Sequence, residues 1–155
     1  MSGNITRRVG TWTQLLSTEL NSLASGSGAL QTTGTNPAFD NTAAGNLFFT
    51  ADIELVATFG AGPTSGTIDV YLLPLGSDAA TYADGAGGAS PVTSNAEYLC
   101  SFPVRAVTTA QRLVLSDVPI PGGQFIVELL NNGTGQSLAA SGNTLKIRGQ
   151  GESYS

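Results

Sequence analysis

Beyond residue 29 the apolar residues recur with a period of two, in short runs broken by clusters of Gly, Pro, Ser and Asn, and this confines the chain to a sheet-built fold. The clearest run has Phe49, Ala51, Ile53, Leu55, Ala57 and Phe59 alternating with Thr50, Asp52, Glu54, Val56 and Thr58, the pattern of a strand with one dry face. The turn cluster 60–66 follows. Residues 67–73 (TIDVYLL) then put Ile68, Val70 and Leu72 on one side, and Pro74 ends that strand or marks a sheet edge. Strand character resumes at 98–107, where Pro103 suggests an edge or bulge, and again at 111–118 and 124–130, with Phe125, Val127 and Leu129 facing one way. Asn131, Asn132 and Gly133 form a hairpin-type turn signal. Residues 137–140 and 144–148 give one or two last strands, with Leu145 and Ile147 inward and Lys146 and Arg148 outward. About seven or eight short strands at regular spacing predict one all-β domain, a β-sandwich or jelly roll over residues 29–155.

The first 28 residues follow a different rhythm. Residues 1–10 are polar and carry Arg7 and Arg8, as a mobile arm or part of an interface would. Trp12, Leu15, Leu16, Leu20 and Leu23 then fall on one stripe of a helix over 11–24, with Thr11 as its N-cap and the SGSG at 25–28 as its stop. A helix of about twelve residues is marginal alone in water, so the stripe must dock on its own domain or on a neighbour. An extended arm is the alternative.

Composition excludes much chemistry. The 155 residues contain no His, so Ser-His-Asp and Cys-His sites are ruled out, as is the commonest zinc ligand. Cys100 alone makes neither an internal disulfide nor a thiolate cluster. A net charge of −5 argues against wrapping nucleic acid. No apolar run approaches the ~18 residues of a membrane span, and MSGNITRRVGTWTQ lacks the apolar stretch of a signal peptide, so synthesis in a cytosol is expected. Charged residues make up only 11%, and so sparsely charged a surface tolerates association.

Each possible site has a plainer reading. Asp52 and Glu54 share a strand face, but that face is the polar, solvated one. Asp78 and Asp84 with Gly85, Gly87 and Gly88 loosely resemble an oxygen-ligand loop, yet two carboxylates fall short of the 6–8 oxygens of a calcium site. The same glycines lack the Lys-Ser/Thr ending of a phosphate loop. Cys100, inside a strand, behaves as a small hydrophobe. Asn4 and Asn132 fit the glycosylation pattern, but nothing delivers them to that machinery. Trp12, Tyr71, Tyr82, Tyr98 and Tyr154 could form a sugar-stacking platform, though scattered aromatics are more often core or interface. No catalytic constellation emerges, no cofactor is implied, and the expectation is a non-enzyme that works as part of an assembly.

Four segments carry a resemblance: TELNSLASGSGAL (18–30), VYLLPLGSDAATYADG (70–85), SFPVRAVTTAQRLVLSDVPIPGGQF (101–125) and SLAASGNTLKI (137–147). They resemble a family of small virion structural proteins of tailed double-stranded-DNA bacteriophages, and the likeness spans residues 12–148. It implies a virion component. Size and fold then favour a capsid cement or decoration protein, a homo-oligomer (dimer or trimer) on the major capsid protein at the virion surface, made in the host cytoplasm, with no direct contact to nucleic acid or membrane. Binding in that role is expected to use the β surface, the partner-binding residues Arg7, Arg8, Trp12, Leu15 and Leu16 of the arm, and the 75–96 loop as a further contact. The alternatives are a tail, baseplate or fibre-associated component and a host-glycan-binding module. A carboxylate-only glycosidase is weaker than either, since it needs two carboxylates across a cleft.

Overall fold

The structure, a computed structural model, describes residues 5–42, 47–83, 88 and 97–154. Among the described residues ten strands form two antiparallel sheets of five. In chain order they are β1 (Ile5–Val9), β2 (Thr13–Leu16), β3 (Gly28–Leu30), β4 (Phe39–Asn41), β5 (Thr50–Ala57), β6 (Thr67–Pro74), β7 (Glu97–Pro103), β8 (Gln111–Pro119), β9 (Gly123–Asn132) and β10 (Thr144–Tyr154). Sheet A runs β1-β10-β5-β8, with β2 also on β10. Sheet B runs β3-β9-β6-β7, with β4 also on β9. The architecture is a β-sandwich.

Alternation decides which residues meet between the sheets. From sheet A come Ala51, Ile53, Leu55, Leu145 and Ile147; from sheet B come Ile68, Val70, Leu72, Phe125, Val127 and Leu129, each at most 2% exposed. Register stacks them in cross-strand pairs, Ile53 beside Ile147 and Val70 beside Leu129. Each of these side chains larger than alanine contributes roughly 1.5–3 kcal/mol by leaving water. The prolines sit where a missing N–H does no harm, Pro74 and Pro103 closing β6 and β7.

The N-terminal segment departs from expectation. No helix forms over 11–24. Residues 13–16 are a strand on β10, and a single 3-10 turn follows at Thr18–Leu20. Leu15, Leu16, Leu20 and Leu23 all enter the same core as the later strands. The helical spacing arose because a strand ending in two buried leucines and a tight turn deliver side chains at offsets resembling those of a helix. An isolated short helix has little to oppose a strand that fills the edge of β10. Residues 5–9 extend the same edge, so the described part of the expected arm belongs to sheet A. The short β1 to β4 raise the strand count above the expected seven or eight.

Two smaller expectations are also corrected. The Asn131–Gly133 turn does not close a hairpin, because β9 and β10 lie in different sheets. Asn131 is instead fully buried, its amide donating to the carbonyls of Leu23 (3.1 Å) and Gln136 (2.9 Å). Residues 137–140 form no strand, only a bridge of Leu138 to Phe59.

Candidate functional site

The surface that stands out is one end of sheet A, where β1 and the last residues of β10 run together beyond the reach of β5. Gln150 is the last β10 residue registered against β5, whereas Gly151 to Tyr154 pair with β1 alone. Four of the seven large hydrophobics exposed among the described residues gather here: Ile5 (60%), Val9 (46%), Leu47 (38%) and Phe49 (69%). A cleft of about 490 Å³ lies between two of them, Ile5 and Phe49, and is otherwise lined by polar side chains that include Arg7, Gln150, Asp117 and Glu152.

The local sequence explains how this end is built. Leu47, Phe48 and Phe49 are three consecutive apolar residues, which cannot all face one side of a strand. Phe48 turns inward against the core. Its place over β10 requires Gly149, since a Cβ there would lie 2.3 Å from the Phe48 side chain. Asn41 fixes the Phe48 backbone, its Oδ1 accepting from the Phe48 N–H (2.8 Å) and its Nδ2 donating to the Phe48 carbonyl (2.9 Å). Phe49 is left facing water, contrary to its expected place on the dry face.

The arginines of β1 point to opposite faces. The Arg8 guanidinium lies 4.2 Å above the Phe48 ring and donates to the Leu47 carbonyl at 2.9 Å. Arg7, on the outer face, donates to Gln150 Oε1. Gln150 donates in turn to Asp52 Oδ1, while Arg148 donates to Asp52 Oδ2 through Nη2 (2.5 Å) and Nε (3.1 Å). The Arg148 guanidinium stacks 4.7 Å from the Trp12 ring. A polar chain thus crosses the outer face of sheet A from Arg7 to Trp12.

Asp52 is accordingly not on a solvated face: it is only 3% exposed. Burial alone would raise its carboxyl, but the bonds from Arg148, Ser116 and Gln150 and the guanidinium charge outweigh it and hold Asp52 below the ordinary carboxylate value. Glu54 is separately bound to Arg112 at 2.6 Å. The two carboxylates expected to share a face are therefore engaged in different ion pairs.

Of the expected partner-binding residues, Arg7, Arg8 and the 39%-exposed Trp12 are on the surface, but Leu15 and Leu16 are 1% and 0% exposed and belong to the core. The aromatic platform divides between the sheets. Trp12 lies on sheet A. On the outer face of sheet B, the Tyr71 and Tyr98 rings meet edge to face at 5.8 Å. Beside them Asp69 accepts from Ser101 (2.6 Å) and Asn132 (2.7 Å). Tyr82 only bridges Leu75, and the side chain of Tyr154 lies outside the described residues.

The remaining candidates resolve into structural roles. Asp78 caps its own turn, its Oδ1 accepting from the Ala80 and Thr81 amides at 3.0 Å, and the Thr81 bonds hold it down at about 2. Asp84, Gly85 and Gly87 lie outside the described residues, as does Asn4. Among the described residues no group of three or more His, Cys, Asp or Glu could hold a metal ion. Gly88 pairs with Gly28 at the edge of β3. Burial and the Asp69 charge push the Cys100 thiol up to about 12, far from a reactive thiolate. No described helix is long and apolar enough to cross a membrane.

Comparison with protein-family models, with curated proteins and with solved structures gives no significant match. The fold and geometry define a β-sandwich whose most distinctive surface is a sheet edge, unpaired among the described residues, near exposed apolar side chains.

Proposed function

We propose that this chain is a virion structural protein of a tailed double-stranded-DNA bacteriophage: a capsid cement or decoration protein, not an enzyme, that binds and stabilises the shell of major capsid protein as a homo-oligomer. The observation that carries the reading is the apolar end of sheet A, where Ile5, Val9, Leu47 and Phe49 are exposed around β1. Clustered exposed hydrophobics mark association surfaces. The resemblance of residues 12–148 to small phage virion proteins supplies the setting. A protein that binds only the assembled shell stabilises it by mass action, and many copies multiply a modest gain at each joint.

The test is a reconstruction of the virion with the copies located. Density over the joints between capsid subunits, with a copy number that scales with the shell lattice, supports the cement role. A few copies at the tail or baseplate would replace it with the tail-associated reading.

One observation favours a second reading, a host-glycan site. Tyr98, 57% exposed, meets Tyr71 edge to face on the outer face of sheet B, and two residues along β6 from Tyr71 lies Asp69, bonded to Asn132, so a stacking ring and polar groups share that face. Binding on a glycan array that Tyr98→Ala abolishes would support it; an array that stays blank would remove it.

A further inference from the structure

The outer side of β1 has no strand beside it among the described residues. Which of its peptide groups face that open side follows from the ladder. Gly10 continues the register of β1 on β10, and its N–H donates to the Gly149 carbonyl at 2.9 Å. In an antiparallel pair such bonded residues alternate with unbonded ones. Arg8 and Thr6 therefore turn their peptide groups toward β10, whereas Ile5, Arg7 and Val9 turn theirs away from it. On the other side of β10 the Gln150 carbonyl is engaged by the Phe49 N–H at 3.1 Å, as this alternation requires. Three N–H and three C=O groups thus face outward along one open edge.

Proteins usually blunt such an edge with charged side chains, proline or a covering loop. Here the two charges do not blunt it. Arg8 is drawn back over Phe48 and Arg7 is bonded back to Gln150, so both guanidiniums lie over the sheet faces and leave the main-chain edge clear. Ile5, Arg7 and Val9 share the outer face, giving the edge an apolar–cationic–apolar reading. Within a chain of net charge −5, this short strand holds two of the six basic residues.

We propose that β1 is a docking strand: its outer edge takes an extended segment of a partner protein by main-chain hydrogen bonding, and the segment has an apolar, any, acidic, any, apolar pattern. The apolar side chains lie against Ile5 and Val9 and the carboxylate meets Arg7. This is β-augmentation, in which the backbone supplies affinity and alternate side chains supply choice. Charge selects against a second copy as the occupant. Two β1 strands paired about Arg7, the register that uses all three outward-facing residues of each, would set Arg7 directly against its counterpart. The inference rests on the proposed function only in taking the shell as the partner.

The experiment uses full-length protein and virion heads prepared without it, with binding measured by co-sedimentation. Val9→Pro removes one outward N–H and blocks the edge without touching a bond to β10. Arg7→Glu reverses the charge. Both variants are first required to keep the wild-type melting midpoint, and Ile5→Pro, by the same geometry, takes the place of Val9→Pro if that one does not. The expected result is tight binding by the wild type and at least a tenfold weakening in each variant. Wild-type binding that Val9→Pro leaves unchanged overturns the docking strand while the cement role stands. Loss with Val9→Pro but not with Arg7→Glu overturns the acidic partner. If the wild type ignores heads yet sediments as a dimer that Val9→Pro splits, the occupant is a second copy and the proposal is wrong. If it ignores heads and stays monomeric, both the cement role and the docking to the shell fall.

Discussion

β1 and β2 lie on the same side of the same strand, yet they have opposite fates. β2 pairs with the part of β10 that is backed by the core, and it buries Leu15 and Leu16 completely or nearly so. β1 pairs with β10 from Gln150 onward, almost entirely beyond β5, and it leaves Ile5 and Val9 in water on the outer face. Strand pairing alone therefore does not make a residue structural. What matters is whether the side chain turns toward the second layer or, as Ile5 and Val9 do, toward the outer face. Turned inward, an apolar side chain holds the fold; turned outward, the same kind of side chain is surface available to a partner.

The sharpest way to break this contrast is to truncate one leucine of β2. Leu16→Ala should cost about 2–5 kcal/mol, from lost burial and the cavity left behind, read as a fall in the denaturant midpoint. A loss under 1 kcal/mol would mean that β2 is not integral to the core.

Next in size is the polar chain that ties the two strands together across the outer face. Arg148→Ala leaves the Asp52 carboxylate buried without its cation. The expected loss is about 2 kcal/mol, below the value for a fully buried pair because the Arg148 side chain is one-third exposed. The loss should depend on pH. Asp52 is held below its unfolded value near 3.8, so its contribution is complete above that pH and disappears as the pH falls through the lower folded value. Denaturation of wild type and variant at neutral pH and at successively lower pH should show the two curves converging in acid. A difference that persists unchanged at the lowest pH would contradict the assignment to Asp52.

Gly149→Ala should cost about 1–3 kcal/mol by overpacking, because the added methyl meets the Phe48 ring. Adding Phe48→Ala should restore part of it, and a double-mutant cycle measures that coupling. Strict additivity would show that the two residues do not meet. The smallest effect belongs to β1 itself. Val9→Ala should stay within about 0.5 kcal/mol of wild type, as exposed positions do, and thermal melting is enough to check it. A loss as large as that of Leu16→Ala would erase the distinction between the strands.

How far the sequence alone could reach follows from the same residues. The alternation from Thr50 onward marked β5, β6, β8 and β9 to within a few residues, and it placed Leu145 and Ile147 inward. Period two is a local property that survives any topology consistent with a sandwich. The spacing of Trp12, Leu15, Leu16, Leu20 and Leu23 was misleading, because a strand followed by a tight turn imitates a helical stripe over so short a span. Phe49 and Asp52 were misplaced for a related reason. Alternation says which side chains share a face, but not whether anything covers that face.

Sequence by itself determined the class of fold, the inward residues of the long strands and the absence of histidine chemistry, since each depends only on residue type and local periodicity. Tertiary structure decided that residues 5–16 would flank β10, that Asp52 would lie beneath Arg148 and Trp12, and that β1 would have no strand on its outer side among the described residues. Those outcomes depend on which distant segments pair, and pairing is won by the energy of burying one surface against another, a quantity no short window of the chain contains.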